Sequence, residues 1–215
     1  MFLIIGFAAF AISAQITAIA DDDDIQNWND VNLTVVVNKK IDLYFPLTLR
    51  FDKNISRVNQ ERAGAGIVFK PTKSIAVTPF YSYIRSRNSA GRFRIENRFH
   101  LRFVYRFQFK KFGLSHRSQY EYRFRPTGNL WRYRPSITLE KELPKDIASG
   151  LKVFITEEPF YESASRRFSR NRLSFGINKA LTKKLSLDIY YLRQDDNFSH
   201  PGLVHVIGTA WKIKL

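Results

Sequence analysis

Arginine offers this sequence most of its chemistry, and it recurs at every second position. Across 92–110 one parity holds Arg92, Arg94, Arg98, Arg102, Arg106 and Lys110, together with Glu96 and His100. The other parity holds Phe93, Ile95, Phe99, Leu101, Phe103, Tyr105, Phe107 and Phe109. A guanidinium is always charged and presents its donors as a rigid fork that fits carboxylate and phosphate oxygens. Guanidiniums two residues apart therefore make either an internal network with carboxylates or a surface that attracts anions. A second arrangement is His116-Arg117-Ser118, which sets an imidazole and a hydroxyl on one face of a strand. A serine nucleophile also needs a group to orient its base and donors for the oxyanion. Gln119-Tyr120 follows and no acid neighbours that face, so no catalytic residue is assigned. A phospholipase-like hydrolase ranks last among the readings. With no cysteine and four histidines (His100, His116, His200 and His205), no metal site and no cofactor are expected.

The elements that must position these side chains are strands, because period-two alternation puts the two residue classes on opposite faces. Ile41, Leu43, Phe45, Leu47 and Leu49 oppose Asp42, Thr48 and Arg50. Tyr120, Tyr122 and Phe124 oppose Arg117, Gln119, Glu121, Arg123 and Arg125. Trp131, Tyr133, Ile137 and Leu139 oppose Arg132, Arg134, Glu140 and Glu142. Val31, Leu33 and Val35 share a face, and weaker alternation runs over 61–69, 75–84, 147–158, 168–177, 185–193 and 203–215. Short connections fall at 38–40, 70–74, 110–113, 144–146 and 178–184. Longer polar ones fall at 53–60, 85–91, 157–167 and 194–202.

Many of these segments run to about 10–12 residues, longer than a soluble strand of about 5–6 and close to a tilted bilayer-spanning strand of about 9–11. Bulky rings at nearly every apolar position would overfill a small core, whereas lipid sets no such packing limit. Trp28, Tyr81, Tyr83, Tyr122, Trp131 and Trp211 lie near the ends of the apolar faces, where an interfacial girdle would put them. The fold class that follows is all-β: a transmembrane, antiparallel up-and-down β-barrel preceded by a signal peptide. Eleven strands can be counted, yet a single-chain bacterial barrel with both ends on one side needs an even number, so about 10–12 are expected.

Residues 1–20 are uncharged and mostly apolar, and they end Ala18-Ile19-Ala20 before the run Asp21–Asp24. Small residues at the last and third-last positions suit a signal peptidase. The expected division is a signal peptide over 1–20, an acidic N-terminal segment over 21–27 and a barrel over 28–215, placed in the bacterial outer membrane. The last residues, Trp211-Lys212-Ile213-Lys214-Leu215, alternate to a hydrophobic end of the kind barrel-insertion machinery reads. That machinery and outer-membrane lipids are the expected partners. The formal net charge of +16 adds anionic ones: anionic solutes, or lipopolysaccharide phosphates at Arg85, Arg87, Arg166 and Arg167. Nucleic acid is excluded by the compartment, and because Arg and Phe fall on opposite faces where a stacking platform needs them on one.

Several short motifs carry a family likeness. They are Trp28, Leu47-Thr48-Leu49-Arg50, the run Arg92-Phe93-Arg94-Ile95-Glu96-Asn97-Arg98, the segment 118–124, Arg132-Tyr133-Arg134-Pro135 and the segment 170–176. From about 27 to 215 the chain resembles the bacterial outer-membrane barrels grouped as domain of unknown function 2490. The resemblance implies an outer-membrane barrel and transfers no catalytic residue.

With the apolar face outward, the lumen receives Arg50, Arg94, Arg98, Arg102, Arg106, Arg117, Arg123, Arg132, Arg134, Arg170 and Arg172 as candidate anion-binding groups. Glu96, Glu121, Glu140, Glu142 and Asp188 are their candidate acidic partners. Over all strands, 18 cations fall on this face against eight carboxylates. In a barrel of this size side chains largely fill the interior. The first reading is a structural barrel filled by an arginine–carboxylate network. The alternative is a narrow anion-attracting pore or binding cavity, because rings of arginine favour phosphate and carboxylate solutes.

Overall fold

The computed structural model describes residues 23–88, 90–196 and 202–215. The expected signal peptide, Asp21, Asp22 and His200 lie outside the described residues. The strands are β1 (Asp24–Val36), β2 (Ile41–Asp52), β3 (Arg57–Phe69), β4 (Ile75–Arg87), β5 (Phe93–Phe107), β6 (Gly113–Phe124), β7 (Leu130–Glu142), β8 (Leu151–Glu162), β9 (Arg167–Ala180), β10 (Leu185–Asp196) and β11 (Leu203–Lys214). A one-turn helix α1 (Lys145–Ala148) sits between β7 and β8.

Each strand pairs antiparallel with its chain neighbour, and β1 closes the barrel against β11. Eleven is odd, so the closing strands must point the same way. They pair in parallel from Asp24↔Val204 to Thr34↔Lys214. The seam continues through the Val36 N–H donating to the Leu215 carbonyl at 2.8 Å and the Leu215 N–H donating to Thr34 at 2.9 Å. Closure leaves no unpaired sheet edge. The even-number rule fails here because it assumes both chain ends at one rim. The barrel instead begins β1 at one rim and ends β11 at the other. We call the first the upper rim and the second the lower.

Alternation sorts the side chains as the sequence predicts. On β5 the outward Phe99, Leu101 and Phe103 are 44%, 45% and 39% exposed, while the inward Glu96 and His100 are 8% and 0% exposed. Two features depart from the sequence reading. The long connections expected at 53–60, 85–91, 157–167 and 194–202 are in part strand, which leaves shorter linkers at the upper rim. There the outward positions Glu61, Arg85, Glu157 and Arg193 are polar as well, so both faces are polar and the alternation signal vanishes although the backbone ladder continues. The strand start expected at 147 is displaced to Leu151, because α1 and Gly150, at φ +66°, turn the chain first.

Trp28 departs too. It is not part of an outer girdle: it faces inward, is 4% exposed and packs with Leu192, Val204 and Val206. The outward Val31, Leu33 and Val35 fix the parity of β1 and send every even residue inside.

Close approach of strands fixes the register on the β3–β4 side. A Cβ added at Gly66 would lie 2.2 Å from the Cβ of Phe80 and 2.5 Å from the Pro79 carbonyl oxygen. Backbone has to move to admit it. Gly66→Ala is therefore expected to destabilise the barrel by about 1–3 kcal/mol, read as a lower urea midpoint of unfolding.

Candidate functional site: the arginine-lined lumen

The inward faces of β5 to β9 bring most of the arginines onto three carboxylates. Glu96 accepts from Arg123 at 2.7 and 2.9 Å, from Arg125 at 2.7 Å and from Arg98. Glu121, with no solvent exposure, accepts from Arg134 at 2.5 Å and lies 3.4 Å from Arg98 and 3.7 Å from Arg132. Glu158 accepts from Arg134 at 3.0 Å, from Arg117, and has Arg172 at 3.7 Å. Arg134 thus bridges two carboxylates, and each carboxylate serves three guanidiniums. In a dry interior, like charges this close persist only where acceptors and rings satisfy them.

The rings are the second half of the filling. Phe160 is completely buried, with Arg134 and Arg172 each 4.6 Å or less from its centroid and Arg132 and Arg170 within 5.6 Å. Arg50 stacks on Trp28 at 3.7 Å, and Arg172 reaches the same ring at 4.6 Å. Phe80 lies parallel to His100 at 4.1 Å and carries Arg102 at 4.8 Å. Cation–π contact of this kind contributes about 0.5–2 kcal/mol and needs no counter-anion. It matters most for Arg50 and Arg102, which among the described residues have no carboxylate at ion-pair distance. Arg102 donates to Gln119 at 2.8 Å, and Arg50 has only Gln60 at 3.5 Å.

The remaining candidates occupy the ends of the lumen. Arg94 and Arg106 share the inward parity of β5 and are exposed near the upper and lower rims. Glu140 meets Lys152 at 3.1 Å, and Asp188 meets Lys212 at 2.6 Å and Asn178 at 2.5 Å, while the exposed Glu142 lies near the lower rim. Arg170 is held by Asp196. Sequence reading missed three inward carboxylates that hold arginines: Asp30 beside Arg62 at 3.3 Å, Glu162 on Arg132, and Asp196 on Arg170. Two cations outside the 18 offset them in part: Arg57 on Asp52 and Lys70 on Asp42, each at 2.6 Å. Parity had the signal for Asp30, which lies two residues from Trp28. Glu162 and Asp196 fell in segments read as loops.

The outward wall carries one arrangement with nucleophile-like geometry. His116 Nε2 lies 2.9 Å from Ser118 Oγ, which lies 3.0 Å from the Tyr133 hydroxyl. Among the described residues no carboxylate is within ion-pair distance of His116, and none clusters with histidines as a metal site would require. The three polar groups satisfy one another on an otherwise apolar wall, which is what an apolar surround demands. Ser118→Ala is therefore expected to leave any ester hydrolysis by the purified protein at its background level. Loss of a measurable turnover on that change would assign the pair a catalytic role.

The family profile described as "Protein of unknown function (DUF2490)" matches residues 25–203. The chain belongs to the DUF2490 family. No curated protein matches it. Among solved structures, an anion-selective porin from Comamonas acidovorans is similar, with a TM-score of 0.40 and 10% identity. That match covers 80% of this chain and 55% of the porin, so the chain spans little more than half the porin's length.

Proposed function

We propose that this DUF2490 protein is an outer-membrane barrel whose lumen is closed by its arginine–carboxylate network, and that it serves the envelope as a structural element. The membrane reading is carried by the outer wall. Phe99, Leu101, Phe103, Ile137, Leu139, Phe175, Ile189 and Ile207 are 39% to 56% exposed and make that wall largely apolar. A water-soluble monomer seldom exposes more than a few hundred Å² of contiguous apolar surface. Lipid removes the penalty, and strands of 12 to 15 residues on this wall are long enough to cross it.

The closed reading rests on burial inside the barrel. Phe160, His100 and Glu121 have no exposure, and Gln119, Arg123 and Arg132 have 3–6%. An aqueous channel would leave such side chains wet. The refolded protein in a planar bilayer is expected to show no steady conductance. The second reading, a narrow anion path, is favoured by one observation: the guanidiniums of Arg50 and Arg102 stack on rings without a carboxylate. Sustained anion-selective steps would establish that path and overturn the closed lumen. Cation selectivity would contradict both readings.

A further inference from the structure

The outer wall is not uniformly convex. On β3 the outward residues Ala63 and Ala65 are small, while their neighbours across the ladder are bulky: Leu47 and Leu49 on β2, Tyr81 and Tyr83 on β4. The result is a groove of ≈ 550 Å³ with Ala63 as its floor and Leu47, Leu49 and Tyr83 as its sides. That volume falls within the range of about 300–1,000 Å³ typical of small-ligand sites.

The groove runs up to a pair of opposite charges. Glu61 and Arg85 face each other across β3 and β4 at 2.9 Å, and both side chains remain more than two-fifths exposed. Arg85 lies over the Phe93 ring at 4.3 Å, which holds its guanidinium at the groove mouth near the upper rim. Charged side chains on a wall that is otherwise apolar are costly unless they sit at headgroup level with a partner. A second groove of ≈ 490 Å³, bordered by Val153, Phe175, Ile177, Ile189 and Ile207, has no charged residue in its lining.

We infer that the β2–β4 groove is a lipid site: it takes one acyl chain of a phospholipid whose headgroup pairs a phosphate with a primary ammonium. The phosphate meets the guanidinium of Arg85, and the ammonium meets the carboxylate of Glu61. Both signs on the protein are answered, which neither an anionic headgroup nor free phosphate would do. A quaternary ammonium cannot donate hydrogen bonds to Glu61, so a choline headgroup fits less well. The inference rests on the proposal that this wall meets lipid.

The test is native mass spectrometry of the full barrel released from bilayers of equal phosphatidylethanolamine, phosphatidylglycerol and phosphatidylcholine. Phosphatidylethanolamine is expected to be retained about threefold over each of the others, the size of a partly exposed charge contact. Ala63→Leu, which fills the groove from outside, is expected to abolish retention. Glu61→Gln is expected to keep lipid but erase the preference over phosphatidylglycerol. Equal retention of all three lipids, a preference for phosphatidylglycerol in the unaltered protein, or retention unaffected by Ala63→Leu would overturn the site. Heat-dependent gel mobility of each variant reports barrel formation separately, so failure to insert is not mistaken for loss of the site.

Discussion

Glu121→Gln is expected to destabilise the folded barrel by about 3–5 kcal/mol, the loss seen when one partner of a buried charge network is removed. The change conserves shape but withdraws the charge from Arg98, Arg132 and Arg134 at once, and these side chains are only 8% to 13% exposed. Gln119, which donates to Glu121 at 2.8 Å, also loses its acceptor's charge, and His100 lies 3.7 Å from the same carboxylate. The comparison variant is Glu140→Gln. Its partner Lys152 is 39% exposed and Glu140 itself 43%, so water replaces the contact and the expected loss is about 0–1 kcal/mol. Urea unfolding in lipid vesicles, followed by tryptophan fluorescence, separates the two. Similar small shifts for both variants would mean that the interior is hydrated and the network is not what fills it.

Phe160→Ala should act on stability and permeability together. Truncating a fully buried phenylalanine typically costs about 3–5 kcal/mol through lost contacts and the cavity left behind. Here the cavity is bordered by Arg132, Arg134, Arg170 and Arg172, which lose the ring that shields them from one another. Water entering that space would meet a positive wall. The variant is therefore expected to unfold at lower urea and to pass ions in a planar bilayer with anion preference. A stable, non-conducting variant would show that Phe160 is not the plug, and a cation-selective one would contradict the charge reading of the lumen.

The sequence carried the wall more clearly than the interior. Alternation on 92–110 and 114–142 was strong because each strand there meets two unlike environments, and the inward placement of Arg98, Arg102, Arg123 and Arg134 follows from it. Where both faces are polar, at the upper rim, the same reasoning went silent. The strands there run on without an alternation to mark them, and they carry Glu162 and Asp196 inward. Inward aromatics were harder still. Trp28, Phe80 and Phe160 sit among polar residues on their faces, and a rule that assigns rings to lipid misplaces Trp28. They face inward because guanidiniums in excess of carboxylates need flat partners. Chain closure was beyond local patterning: eleven strands could be counted, but the parallel β1–β11 seam depends on where the two ends meet, which no single segment encodes.

The central claim is the orientation of the two faces, and the absence of native cysteine allows it to be read one residue at a time. Single cysteines introduced at successive positions from 93 to 107, spin-labelled in lipid bilayers, report collision with dissolved oxygen, which concentrates in hydrocarbon. Strong oxygen collision at 99, 101, 103 and 105, alternating with weak collision at 98, 100, 102 and 104, is the expected pattern. Uniform collision along β5, or the opposite alternation, would contradict the account.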